Sequence, residues 1–276
     1  MAGCGAGAGS KGMDPQLSDG RGDRAASVEA SLAYYPSGAQ APHGHDYDQI
    51  SLLLTGEMRE ESGGWEADLC RTAIGFKPAG TRHSNCWGPD GALFFSLKLA
   101  PGACPPELAP RRGWSAPAAA AELRRLARAC LTCADPAGRA DLAWDFVARA
   151  GDAREPVRGP PPLWLAQARA SLRDAPGETG IGSLAARLGV HRVHLSRMFA
   201  RHYGLAPSRF RTRCLAMKAV AGAAAAAEPL TWVALDAGFC DHSHAARVVR
   251  NRTGFTMAEL RALLAPLHPS KRRAGP

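Results

Sequence analysis

One short pattern occurs twice in the last third of the chain, and it constrains the fold more than any other feature. Ala185 is followed by Gly189 after four residues and by the apolar Leu195 after ten. A small residue lets two helices approach closely, glycine permits a sharp turn, and the apolar residue anchors the second helix. The second copy, with a turn one residue longer, consists of Ala234, Gly238 and Ala245. The spacing predicts two helix-turn-helix units.

The second helix of the first unit has the composition expected of a helix that meets a polyanion. The stretch HRVHLSRMFARHYG (191–204) places apolar residues near helical spacing and basic residues between them. Ser183 is predicted to cap the preceding helix, and Asp241 the last helix of the second unit. Residues 207–227 are predicted to form one connecting helix. Two units on one rigid helix could enter major-groove segments roughly 34 Å apart.

The positive charge of the chain is concentrated in this helical part. The net charge is +9, and residues 163–264 hold 14 Lys and Arg against 6 Asp and Glu, a balance of +8. The tail adds Lys271, Arg272 and Arg273, so the chain before residue 163 is slightly acidic. A basic module joined to a near-neutral one favours a nucleic-acid partner, although a solvated basic surface gives the same count.

The rest of the chain divides into segments of different character. We predict a disordered leader over 1–27, a strand-rich barrel over 28–100, helices over 116–150 and a proline-rich linker at 156–162. The predicted domains are a sensor or dimerisation domain at 28–155 and a DNA-binding domain at 163–266, followed by a basic tail at 267–276. The fold class predicted is therefore α+β.

Cysteine usage and hydropathy favour a cytoplasmic protein. The eight cysteines are scattered, and the single close pair, Cys130 and Cys133, is weak evidence for metal or redox chemistry. No apolar run approaches the roughly 20 residues that a membrane span needs, and the first residues lack the apolar centre of a secretory signal. We expect reduced thiols and no membrane partner.

The helical part resembles the DNA-binding domain of AraC/XylS-type bacterial transcription regulators. The stretches LAARLGVHRVHLSRMFARHYGLAPSRF and ALDAGFCDHSHAARVVRNRTGF carry the resemblance, which covers about 178–264. It implies that the groove-facing and flanking positions are Arg192, Val193, Ser196, Arg197 and Arg201 in the first unit, and His242, Ser243, Ala246, Arg247 and Arg250 in the second. Phosphate contacts are assigned to Arg201, Arg209, Arg211, Arg213, Lys218 and Arg250.

The second unit departs from the family pattern. Aromatic residues are usual in the family at the positions of Ala245, Val249 and Thr253, and proline is usual where Met257 stands. Losing a large apolar group from a small core costs roughly 2–5 kcal/mol unless neighbours refill the space. We expect the refilling residues to be Trp232, Phe239 and Phe255.

The N-terminal part resembles cupin barrels. The stretch HGHDYDQISLLLTGE (43–57) is similar to the first cupin motif and KPAGTRH (77–83) to the second. The resemblance implies an effector pocket lined by His43, His45, Gln49 and His83, with Tyr47, Arg82 and Trp87 as further candidates. Three imidazoles could hold a divalent ion, but Gln49 stands where cupin enzymes have a carboxylate. We therefore expect no metal or other cofactor, with a site of His43, His45 and His83 as the alternative.

The predicted function is that of a sequence-specific, effector-responsive transcription regulator without enzymatic activity. Its expected partners are double-stranded DNA, a small-molecule effector, RNA polymerase and a second copy of the chain. The helices over 116–150 either form a dimer interface or cover the open edge of the barrel, through Leu123, Leu126, Leu131, Leu142, Trp144, Phe146 and Val147. The alternative function is a metal-dependent cupin enzyme with a helical appendage.

Overall fold

The computed structural model describes residues 28–104, 113–151, 153–154, 161–176, 179–225 and 228–264. The predicted leader, the basic tail and most of the predicted proline-rich linker lie outside these residues. Within them, a strand-rich N-terminal part is followed by a helical C-terminal part. The predicted α+β class, with a strand-rich domain before a helical one, is confirmed.

One antiparallel sheet forms the N-terminal domain. Its order is β1-β6-β3-β5-β7-β8, with β2 paired to β6 and β4 paired to β3. The two long central strands each pair with different neighbours along their two halves. The strands are β1 (Glu29–Tyr35), β2 (Gly38–His43), β3 (Asp48–Ser62), β4 (Trp65–Leu69), β5 (Ala73–Lys77), β6 (His83–Leu99), β7 (Gly113–Pro117) and β8 (Ala153–Arg154).

The sheet bends where Gly56 of β3 meets Ala92 of β6. The pairing register shifts on both sides of this point. Gly56 has φ +102°, and a Cβ on it would lie 2.4 Å from the Cα of Ala92. Only glycine fits both the left-handed backbone and the close approach of the two strands.

Two helices, α1 (Ala120–Thr132) and α2 (Pro136–Ala150), pack on one face of the sheet. The ring of Phe146 lies 4.9 Å from that of Phe95 on β6, measured between centroids. Leu123, Phe146 and Val147 are at most 1% exposed. These three side chains of the proposed dimer face are therefore used within the single chain, while Leu126, Leu131, Leu142 and Trp144 are only partly buried.

Seven helices lie in the described residues of the C-terminal part. They are α3 (Leu163–Asp174), α4 (Ile181–Arg187), α5 (Arg192–Tyr203), α6 (Pro207–Ala225), α7 (Leu230–Asp236), α8 (His242–Thr253) and α9 (Met257–Leu264). None of the helices in the described ranges is long and apolar enough to span a bilayer. The predicted connecting helix is α6, and residues 226 and 227 of the predicted range lie outside the described residues.

Of the two predicted helix caps one is confirmed, and the structure shows a further cap at His191. The carboxylate of Asp241 accepts a hydrogen bond from the backbone N–H of His244 at 2.7 Å and caps α8. The Nδ1 of His191 accepts from the N–H of Val193 at 3.3 Å and caps α5. The prediction for Ser183 was wrong, because α4 begins two residues earlier and its N-cap is Gly180.

The refilling of the second unit's core was predicted only in part. Phe239 and Phe255 are buried, at 4% and 0% exposure, beside the small residues Ala245 and Val249. Trp232 is 65% exposed and does not fill that space. The apolar cluster that contains Phe239 and Phe255 continues into the sheet and into α1 and α2.

Candidate nucleic-acid interface and effector pocket

The two predicted helix-turn-helix turns have the same geometry. Gly189 (φ +65°) and Gly238 (φ +92°) both take the left-handed conformation. In each turn the residue after the glycine donates its N–H to the carbonyl of the alanine that begins the pattern: Val190 to Ala185 at 3.0 Å, and Phe239 to Ala234 at 3.1 Å. The repeated backbone geometry explains the repeated Ala-to-Gly spacing.

The first recognition helix, α5, buries one side and leaves the predicted DNA-binding side free. Leu195, Phe199 and Tyr203 are buried at helical spacing. Arg192, Val193, Arg197 and Arg201 are exposed, and Ser196 is half-buried. Positions 193, 197 and 201 recur every four residues, so their side chains share one face. Within the described ranges, none of the three arginines of α5 has an acidic partner.

The second recognition helix, α8, is arranged in the same way. Ala245, Val249 and Thr253 form its buried side. Of the predicted contact residues, Ser243, Arg247 and Arg250 are exposed, and His242 and Ala246 are half-buried. Arg247 corresponds in position to Arg197, since both are followed after two residues by a buried apolar side chain, Val249 or Phe199. Each unit thus offers a cationic face beside a fixed apolar one.

The sequence-based assignment of Arg213 to a DNA phosphate was wrong. Arg213 lies in the middle of α6, is 5% exposed, and donates from Nη2 to the backbone carbonyl of Gly56 on the bend of the sheet. Helical periodicity places Arg213 on a face of α6, but it cannot reveal that the N-terminal domain covers that face. Arg211, also assigned to phosphate, donates from Nη1 to the carbonyl of Thr179 at 3.3 Å.

Three histidines come together at one end of the cupin-like sheet. His43 ends β2, His83 begins β6, and the two residues are paired in the sheet. The ring centroids of His43, His45 and His83 lie 4.3–5.3 Å apart, and one nitrogen of each ring lies within 4.8 Å of the others. Tyr47 stacks on His45 at 4.8 Å. The spacing of the two cupin motifs thus brings these predicted pocket residues together.

The other predicted pocket residues are less central. Gln49 is half-buried on β3 and paired with Lys77 in the sheet. Arg82 is exposed and donates to the carbonyl of Pro42 at 3.3 Å. Trp87 stacks on Tyr35 at 4.4 Å. Of the candidates chosen by proximity in sequence, Tyr47 and Arg82 lie beside the histidines, whereas Trp87 packs on Tyr35.

The protonation state of the histidines suits a ligand that donates hydrogen bonds or a metal ion that accepts electron pairs. The Nδ1 atoms of His43 and His83 lie 2.9 and 3.1 Å from the carbonyl oxygens of Ala41 and Thr81. A carbonyl oxygen can only accept, so Nδ1 carries a proton in both rings and Nε2 is the nitrogen left for a ligand. Burial and the charge of Lys77 lower the pKa of His83 to about 4. Burial also lowers the pKa of His45, so both rings are neutral near pH 7.

A buried ion pair beside the histidines was missed by sequence reasoning. Lys77 lies 2.8 Å from a carboxylate oxygen of Glu60, and the other oxygen accepts from the indole N–H of Trp114 at 3.0 Å. Glu60 pairs with Asn85 and Ser62 pairs with His83, so Glu60 and His83 point to the same side of the sheet. The available signal was Lys77 at the end of the apolar run AIGFK (73–77).

Comparison with known proteins identifies the C-terminal domain. A family model described as a helix-turn-helix domain matches residues 184–262. These residues form an AraC-type helix-turn-helix domain. No curated protein matches the chain. The chain is therefore a DNA-binding transcription regulator, whose AraC-type helix-turn-helix domain follows a strand-rich N-terminal domain.

Several solved structures are similar to parts of this AraC-type chain. A transcriptional regulator with an AraC-type DNA-binding domain from Chromobacterium violaceum is 24% identical, with 37% of this chain and 92% of that chain covered, at a TM-score of 0.36. ToxT from Vibrio cholerae O395 is 8% identical over 86% and 98% of the two chains, at 0.37. An RmlC-like cupin from Shewanella frigidimarina NCIMB 400 is 18% identical over 28% and 68%, at 0.25.

Proposed function

We propose that this AraC-type regulator binds its DNA site with α5 and α8 in neighbouring segments of the major groove. The observation that carries the proposal is the duplicated geometry: two capped helices, each with a buried apolar side and an exposed side whose arginines have no acidic partner among the described residues. Both helices pack against one connecting helix, α6. A continuous helix between the two units limits how far apart their groove-binding helices can lie.

The roles of the contact residues follow from their chemistry. Arg197 and Arg247 have the reach and the paired donors that recognise O6 and N7 of guanine. Ser196, His242 and Ser243 can hydrogen-bond to base edges, and Val193 and Ala246 can contact a thymine methyl group. Arg192, Arg201 and Arg250 are proposed to bind phosphates, which position the protein without reading sequence.

A small-molecule effector is proposed to bind beside His43, His45, Gln49 and His83. The effector controls DNA binding only if its affinity differs between the DNA-competent and the incompetent conformations. The neutral rings of His45 and His83 accept hydrogen bonds or a metal ion rather than an anion. A second copy of the chain and RNA polymerase complete the proposed set of partners, and the proposed location is the cytoplasm.

Binding to selected DNA tests this function. The full chain is first used to enrich duplexes from a random-sequence pool. The affinity for one enriched duplex is then measured at salt concentrations from about 50 to about 200 mM. Arg197→Ala and Arg247→Ala should each weaken binding by roughly tenfold or more, since a bidentate base contact contributes about 1–3 kcal/mol. Arg125→Ala, an exposed arginine on α1, is the control. Failure to enrich any sequence, or affinity that does not fall with salt, contradicts the proposal.

The alternative function, a metal-dependent cupin enzyme, is favoured by one observation. Three imidazole nitrogens converge within 4.8 Å, and protonation at Nδ1 leaves two of them ready to bind a divalent ion. Metal analysis of protein purified without added metal separates the two functions. Stoichiometric iron, manganese or zinc that is lost in His45→Ala supports the enzyme, and metal-free protein that still binds DNA supports the regulator.

A further inference from the structure

The two helix-turn-helix units are attached to the cupin-like domain in different ways. The buried residues of the second unit, such as Val249 and Phe255, belong to the same apolar cluster as Leu52 and Phe95 of the sheet. The first unit has a separate core, and within the described ranges its one buried side chain from the N-terminal domain is Cys70. The second unit is therefore fixed to the sheet by apolar packing, while the first depends on other contacts.

Those contacts are a set of ion pairs around Glu57, which we call the Glu57 clamp. The clamp consists of Glu57 and Asp68 from the sheet, Arg169 and Arg173 from α3, and Arg213 from α6. Arg169 lies 3.1 Å from a Glu57 carboxylate oxygen and 3.2 Å from one of Asp68, measured from its Nη atoms. Arg173 approaches Glu57 at 3.6 Å. Arg213 donates to the carbonyl of Gly56, the residue before Glu57.

The clamp reaches the recognition helix of the first unit. The guanidinium carbon of Arg169 lies 5.3 Å from the ring centroid of Tyr203, the last residue of α5. Tyr203 is buried and donates from its hydroxyl to the carbonyl of Leu165 on α3. Arg169 thus contacts the sheet on one side and the end of α5 on the other.

Burial makes the clamp strong enough to hold a helix in place. The side chains of Arg169 and Glu57 are only 13% and 14% exposed. Charges removed from water to this degree are weakly screened by salt. Removing one partner leaves the others buried without compensation, which costs far more than losing a surface pair.

The clamp also lies on the strand that carries the effector pocket. Glu57 follows the bend of β3 at Gly56, and Gln49 and Glu60 lie on the same strand. Glu60 points to the side of the sheet that holds His83. A ligand that binds beside the histidines and shifts β3 would therefore also move Glu57, because both sites lie on this strand.

We infer that the Glu57 clamp fixes the position of the first helix-turn-helix unit relative to the second, and so determines which spacing between DNA segments the protein accepts. Glu57, Arg169 and Arg213 are then positioning residues: they touch no base, and they act through α3, α5 and α6. The inference rests on the proposed DNA-binding function. It implies that an effector acts on the contact between the first unit and the N-terminal domain.

The experiment measures spacing preference, which mere loss of stability does not change. The probes are a duplex enriched by the wild-type chain and a second duplex. The second has one base pair inserted between the two segments that α5 and α8 are proposed to contact. The wild type should prefer the original spacing by about tenfold or more. Glu57→Gln should reduce this preference to within about threefold of unity, because the first unit can then adjust to the longer site. Glu61→Gln, the same change at an exposed position of β3, should retain it.

Two further variants separate positioning from folding. Glu57→Asp keeps the charge and should restore most of the spacing preference. Arg169→Gln breaks the clamp from the other side and should behave like Glu57→Gln. An unchanged preference in both Glu57→Gln and Arg169→Gln would overturn the positioning role while leaving the proposed function intact. Failure of the wild type to enrich any duplex would overturn the proposed function, and the positioning role with it.

Discussion

His83 is the residue whose chemistry depends most on the fold around it. Its side chain is 3% exposed, its Nδ1 faces the carbonyl of Thr81, and Lys77 lies nearby. Burial and this positive charge disfavour the protonated ring and lower its pKa from 6.5 to about 4. The unfolded chain therefore binds a proton between these pH values that the folded chain does not.

This difference predicts how stability changes with acid. The free energy of unfolding should be fully retained above pH 6.5 and should fall as the pH drops toward 4, by roughly 2–3 kcal/mol from His83. Urea unfolding at a series of pH values in the presence of a chelator measures it. His83→Gln should flatten the curve between pH 6.5 and 4.5, whereas His202→Gln, on α5, should not. Equal slopes in the wild type and His83→Gln would show that the folded ring is not held neutral.

The individual contact residues show where sequence reasoning succeeds and where it fails. The histidines were found because the two cupin motifs fix their spacing along the chain. Arg213 was misplaced because its partner, the carbonyl of Gly56, is 157 positions away and no local pattern signals it. Residues that serve one element can be predicted from that element, and residues that join two domains cannot.

At the scale of elements, the bend of β3 is the most demanding local structure. Gly56 combines a left-handed backbone with a contact that leaves no room for a side chain. Gly63, in the turn after the same strand, also has positive φ (+51°), but nothing lies within 4 Å of its missing Cβ. A comparison of substitutions at Gly56 and Gly63 therefore distinguishes the cost of the left-handed backbone from the cost of the steric clash.

Alanine at these two positions should have different costs. Gly63→Ala should lower the free energy of unfolding by about 1–2 kcal/mol, from the left-handed backbone alone. Gly56→Ala should lower it by roughly 3 kcal/mol or more, because the strands must also separate. Chemical denaturation of both variants provides the comparison. Similar losses would mean that the close approach of β3 and β6 is not required.

Most helices and strands could be predicted, but their partners could not. Regular apolar spacing located α5 and α8, and glycine and proline marked the ends of the strands. The exposure of Trp232 was not foreseen, because a large apolar residue near a depleted core suggests that it fills the gap. The core of the second unit instead includes Phe239 and Phe255 and continues into the N-terminal domain, which depends on how the domains dock.

At the scale of the whole molecule, the docking of the domains changes the view of the second unit. Its small residues suggest a weak core when α7, α8 and α9 are considered alone. In the structure this core is continuous with the sheet, and Arg128 of α1 forms a two-pronged ion pair with Glu259 of α9. That pair lowers the pKa of Glu259 to about 2. The second unit is thus supported by the sensor domain, and both recognition helices remain exposed while docked.

The most direct test of the account is a hydroxyl-radical footprint on a duplex enriched by the full chain. Two helices on one connecting helix should protect two segments about one helical turn apart on the same face of the DNA. Arg197→Ala should weaken protection of one segment and Arg247→Ala that of the other, while Arg125→Ala should leave both unchanged. A single protected segment, or two arginine variants that affect the same segment, would contradict the assignment of α5 and α8 to separate groove segments.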